Sequence, residues 1–144
     1  MTEVDNELIN KKLADLRDYL HKLEEFIPMD KKTFTADHHH YGLAEHYLQA
    51  AIEAVLDVCR HLVVARELSM PDDAHGLFSL LVKQKVLTNT FAGRNEKMPG
   101  FRNRLVHSYS EIDHEKTFAY LQEHLPDFQV FISQVSRFLI NQEQ

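Results

Sequence analysis

Glycine and proline are scarce in this chain, four of each among 144 residues. That leaves little turn chemistry and, with the many Leu, Ala, Glu and Lys residues, favours a mostly helical fold. A single cysteine, Cys59, excludes an internal disulfide and any multi-cysteine zinc site. It stands in the apolar stretch AIEAVLDVCRHLVV, where a small buried core residue is expected. No apolar run approaches the roughly 18 residues of a membrane span. The start, MTEVDNELINKK, lacks the apolar core of a signal peptide, so the cytoplasm is the expected compartment. There is no phosphate-cradling glycine loop, nucleophile elbow, Cys–His pair or HEXXH. Excess positive charge is missing too. A formal net charge of −6 argues against gripping long nucleic acid by bulk electrostatics, but leaves room for a small, locally basic site acting on RNA.

What is present is helical periodicity. The composition, 44% hydrophobic and 26% charged, suits one soluble globular domain over residues 1–144. Leu8, Ile9, Leu13, Leu16, Leu20, Leu23 and Ile27 predict a first helix, capped by Asp5 or Asn6 and closed by Pro28. KKTFT reads as a connection. Thr35 or Asp37 then caps a long helix to about Leu68, apolar almost all round at its centre and therefore the spine of the domain. LFSLLVKQKVL is a short apolar helix, and Thr88 or Asn89 restarts the chain. After a break at Met98-Pro99-Gly100, FRNRLVHSY is expected to be helical, with Pro99 in its first turn. Asp113 caps a final helix of about 28 residues, which Pro126 can kink. No strand-like alternation is found. The expected fold is all-α, an antiparallel helical bundle.

The stretch GFRNRLVHSYSEID concentrates Arg102, Asn103, Arg104, His107 and Tyr109. On a helix, Asn103 and His107 share one face, while Arg102 and His107 are splayed by about 140°. They can converge through the long arginine side chain, a distorted helix or a symmetric dimer. Histidine both removes and donates protons near neutral pH, and arginine holds a phosphate and offsets growing negative charge. Together they suit attack of an RNA 2′-hydroxyl on its own phosphodiester, a reaction for which no metal or cofactor is called. The alternative is a helix that merely ends in cations, favoured at its carbonyl end. Spacing alone leaves both open.

Other clusters carry less. His38-His39-His40 point in different directions on a helix and read as a solvated helix start rather than a zinc site with His46. His61 suits a helix contact, while His75, His114 and His124 show no partner pattern. Glu53 and Asp57, four apart, read as an unpaired acidic face.

MPGFRNRLVHSYSEID is very similar to the signature of the HepT-like family of the HEPN superfamily, in which an Arg, four residues, a His, one residue and a Tyr stand in order. YGLAEHYLQAAIEAVLDVCRHLVVARELSMP, LVKQKVLTNTFAGRNEKMPGFRN and EIDHEKTFAYLQEHLPDFQVF resemble the family's second helix, its approach to the motif and its closing helix. The resemblance implies a homodimer with two strips lining a shared cleft. It also implies a metal-independent endoribonuclease, the toxin of a toxin–antitoxin pair, cleaving tRNA or mRNA. The implied partner, alone or in a hetero-oligomer with this chain, is an MNT-type nucleotidyltransferase that transfers AMP to Tyr109. Carried over, Arg102 positions the scissile phosphate, His107 is the acid/base and Asn103 orients the His or contacts substrate. Arg104 is either a second phosphate contact or a solvent-facing cation, and Ser108 replaces a glycine common in relatives. The competing classes are a non-catalytic helical dimer that binds nucleotide or RNA beside a nucleotidyltransferase, and a pure scaffold.

Overall fold

The computed structural model describes residues 3–107 and 112–142. Regular structure among them is helical: α1 (Glu3–Leu23), α2 (Lys31–Ala36), α3 (His38–Ala65), α4 (Ala74–Lys83), α5 (Asn89–Arg94), α6 (Met98–His107) and α7 (His114–Gln142), with a 3-10 turn over Glu24–Phe26.

Side chains set where the helices begin. Asp30, Asp37, Asp73 and Thr88 each sit in extended backbone and accept a hydrogen bond from a main-chain N–H two or three residues on. Asp113 does the same for α7, accepting from the Glu115 amide at 3.0 Å. Asp37, not Thr35, caps α3; the Thr35 hydroxyl instead donates to the Lys31 carbonyl inside α2. The expected connection KKTFT is thus a helical turn. Six residues are marginal alone, but Asp30 caps them and fully buried Phe34 packs edge-on against Phe26, with ring centres 6.0 Å apart.

The scarcity of glycine shows at the helix ends. α3 and α4 stop at Glu67 and Lys85, which take φ values of 57° and 61°. The amides of Leu68 and Val86 then reach back to the carbonyls of Val63 and Leu81. These are Schellman-type closures in which an ordinary residue accepts the left-handed conformation, at a cost of about 1–2 kcal/mol that glycine would avoid.

α3 is the spine, packing against α1, α2, α4, α6 and α7. Lys22 lies over the Tyr47 ring and Lys12 pairs with Asp57, so α1 runs antiparallel to α3. Glu45 meets Thr117 and Arg66 meets Gln142, so α7 runs parallel to α3 and antiparallel to α1. The core comprises Leu13, Leu16, Leu48, Ile52, Leu62, Phe128 and Phe131 with their neighbours, each contributing about 1.5–3 kcal/mol by leaving water. Leu8 departs from the expected stripe of the first helix and stays exposed. Pro126 lies inside α7, which continues to Gln142. No helix among the described residues is long and apolar enough to cross a membrane.

Candidate active site

α6 is short, and tertiary contacts fix its orientation. Pro99 occupies its first turn, where a missing N–H costs nothing. Phe101 and Leu105 are buried, four apart on one face, and the Phe101 ring stacks on Tyr120 of α7 at 4.2 Å. With that face anchored, Arg102 turns toward α3 and Asn103, Arg104 and His107 remain exposed.

Arg102 Nε donates to the carboxylate of Glu53, and Arg102 Nη1 donates to Asn103 Oδ1 at 2.9 Å. A guanidinium has five N–H bonds, so three remain to meet an anion. Glu53 fixes the plane of the fork and Asn103 holds its edge. Asn103 thus meets Arg102, and no hydrogen bond joins it to His107 among the described residues. Asp57, the other half of the supposedly unpaired acidic face, pairs with Arg60 at 3.2 Å and Lys12 at 3.7 Å. Both carboxylates are engaged, because α3 presents this face to two neighbouring helices.

His107 ends α6. It makes no side-chain hydrogen bond or ion pair among the described residues. The reach of Arg102 is taken up by Glu53 and Asn103, so the two do not converge through the arginine side chain in this chain. Tyr109 and Ser108 lie outside the described residues.

Where the described chain resumes, another network holds it. Glu45 of α3 is 9% exposed, and its Oε2 accepts from the Thr117 hydroxyl at 2.8 Å and lies 2.7 Å from His114 Nδ1. Tyr41 stacks on the His114 ring at 3.6 Å. This buried carboxylate ties the start of α7 to α3 just beyond the strip. Sequence spacing gave no sign of it, since Glu45 and His114 are 69 residues apart.

Asp37, His38 and His39 offer ligand atoms within 4.8 Å of one another, closer than the divergence expected of the His run. Asp37 is already committed as a cap, and its bond from the His39 amide holds its carboxyl below the usual range. The positive end of α3 further disfavours a cation there. Cys59 is fully buried, which pushes its thiol pKa up and leaves it unreactive.

Comparison with known proteins fits this arrangement. The profile of the family "Ribonuclease HepT-like" matches residues 16–135. The mRNA nuclease HepT of Shewanella oneidensis is 28% identical over 127 residues, covering 88% of this chain and 95% of that protein. The tRNA nuclease HepT of Aphanizomenon flos-aquae is 25% identical over 144 residues, covering 100% and 98%. The structure of a tri-AMPylated Shewanella oneidensis HEPN toxin in complex with MNT antitoxin superposes with a TM-score of 0.81 at 26% identity, covering 95% of this chain and 99% of that one. With the family profile spanning most of its length, and the fold and motif order agreeing, this chain belongs to the HepT-like ribonuclease family.

Proposed function

We propose that the chain is an endoribonuclease, the toxin of a pair whose antitoxin is an MNT-type nucleotidyltransferase. The observation that carries this is α6, where one ten-residue helix presents a held Arg102, a supporting Asn103 and an exposed His107 in the motif order of the family. His107 takes the proton from an RNA 2′-hydroxyl as that oxygen attacks the adjacent phosphorus. The P–O5′ bond breaks, and a protonated imidazole returns a proton to the leaving oxygen. The products are a 2′,3′-cyclic phosphate and a 5′-hydroxyl. The three free N–H bonds of Arg102 meet the charge that grows on the phosphoryl oxygens. One imidazole fills one protonic role at a time, so a homodimer with two strips in one cleft supplies base and acid together.

Tyr109 follows His107 by two residues, which suits its role as the acceptor of AMP. A nucleotide there adds negative charge and bulk beside Arg102 and His107, occupying the phosphate site and repelling RNA. Tyr109→Phe is expected to cut RNA yet gain no AMP mass when incubated with antitoxin and ATP, read by intact-mass spectrometry. An unchanged AMP gain on the variant removes Tyr109 from the scheme.

The two nuclease relatives are named for different RNAs, so the primary test uses bulk tRNA and mRNA, both in EDTA. Wild type is expected to cut at least one and His107→Ala neither, a loss of about 10²–10⁴-fold. Equal cutting by both proteins, or none by wild type, overturns the proposal.

A further inference from the structure

A groove of about 740 Å³ is lined by His75, Glu96, Lys97, Gly100, Arg104 and Lys116. It holds three fixed cations against one carboxylate, in a chain whose net charge is −6. A neighbouring groove of about 760 Å³ has the opposite balance, Lys31 and Lys116 against Asp113, Glu115 and Glu123. Among the described residues, Lys97, Arg104 and Lys116 make no ion pair, so their charge is not spent internally.

The groove is aligned with the catalytic strip. The Lys97 carbonyl accepts from the Phe101 amide, which extends the helical path of α6 back to Lys97. Lys97, Gly100, Arg104 and His107 then follow at steps of three, four and three, a single stripe along one side of the helix. Arg104 stands about 4.5 Å before His107 along the axis, and Lys97 about 15 Å before it. The guanidinium of Arg104 lies over the Phe101 ring, 5.5 Å from its centre, and that ring is clamped on Tyr120. Stacking steadies the guanidinium while its N–H edges stay free. A Cβ at Gly100 would meet nothing within 4 Å, so glycine leaves the stripe bare between the two cations without being needed for packing.

We propose that this groove is a phosphate track for the RNA strand, in which Lys97, Arg104 and Lys116 hold backbone phosphates beside the scissile position and lead the strand to His107. The proposal rests on the ribonuclease reading and adds to it a binding subsite on the face of α6 turned away from Glu53. Phosphate contacts of this kind position without reading sequence, which fits a track rather than a specificity pocket.

The test measures binding of bulk tRNA across a salt series, in a His107→Ala background so that nothing is cut. Replacing Lys97, Arg104 and Lys116 together by Ala is expected to weaken binding about tenfold or more at low salt. The slope of log K against log salt should become shallower by about 2, near 0.7 per lost phosphate contact. Gly100→Glu, which places a carboxylate in the groove, should weaken binding in the same direction with an unchanged circular dichroism spectrum and melting temperature. Unchanged affinity and slope in both proteins overturn the track, as does a parent that does not bind tRNA at low salt. In the His107-intact protein, no cutting by wild type is the failure of the nuclease reading. Wild-type cutting with the same KM in the triple variant is the failure of the track alone.

Discussion

Two arginine–carboxylate pairs join short helices to long ones in this molecule, and they are built differently. Arg94 of α5 bonds both oxygens of Asp127 through Nε, at 3.0 and 3.2 Å, and donates from Nη2 to the Glu123 carbonyl. Asp127 is 7% exposed and also meets His124 Nδ1 at 2.9 Å. The bond to Asp127 raises the pKa of Arg94 further. This pair is closed, with its carboxylate satisfied from two sides, and clamps α5 to α7. Arg102 of α6 uses Nε on Glu53 and one bond of Nη1 on Asn103, on the helix that ends in an exposed His107. The closed pair reads as architecture, the open one as a site. What distinguishes them is the carboxylate: Asp127 is buried and shared with His124, whereas Glu53 is partly exposed and, among the described residues, meets Arg102 alone.

The largest effect should come from exchanging the two arginines' fates. Arg102→Ala is expected to lower kcat about 10²–10³-fold, the usual loss for one donor to developing charge, well beyond what its modest fall in melting temperature accounts for. Arg94→Ala should keep its cleavage rate and lose stability instead. If both variants lose rate equally, the distinction between open and closed pairs fails.

Glu53→Gln sharpens the same point. It keeps shape but removes a charge-assisted hydrogen bond, about 1.5–3 kcal/mol. Cleavage should fall on the order of tenfold through kcat, with KM nearly unchanged, because the fork loosens while the groove cations stay. A change confined to KM would make Glu53 part of substrate binding. Asp127→Ala tests the clamp and is expected to cost about 1–2 kcal/mol in urea unfolding, moderated because Arg94 is half exposed and recovers water.

The smallest effect concerns a capping carboxylate far from either pair. Asp37 has its pKa lowered below its ordinary value of 3.8, first by the bond from the His39 amide and then by the nearby histidines. A lowered folded pKa contributes stability that is complete above 3.8 and lost as the pH falls through the folded value. Melting temperatures of Asp37→Asn should therefore decline less steeply than wild type in that acid window. Parallel curves would remove the cap from the acid response.

Much of the site was legible locally. Pro99 in a first turn set α6, and the strip from Arg102 to His107 was placed on it before any packing was considered. The partner of Arg102 was not legible, since Glu53 lies 49 residues away and its own spacing with Asp57 suggested only an acidic face. α2 was missed for a similar reason, because Phe34 is held by Phe26 and Phe118, two rings supplied by other parts of the chain.

The sequence by itself determined most of the helices, most of their caps and the order of the Arg–His–Tyr strip, because each follows from residues within a turn or two of one another. Tertiary structure decided which carboxylate holds Arg102, that Glu45 ties down the start of α7, and that Lys116 joins Lys97 and Arg104 in one groove. Those pairings depend on the relative register of α3, α6 and α7. That register is set by how their buried faces interlock, a property of the packed molecule that no local spacing encodes.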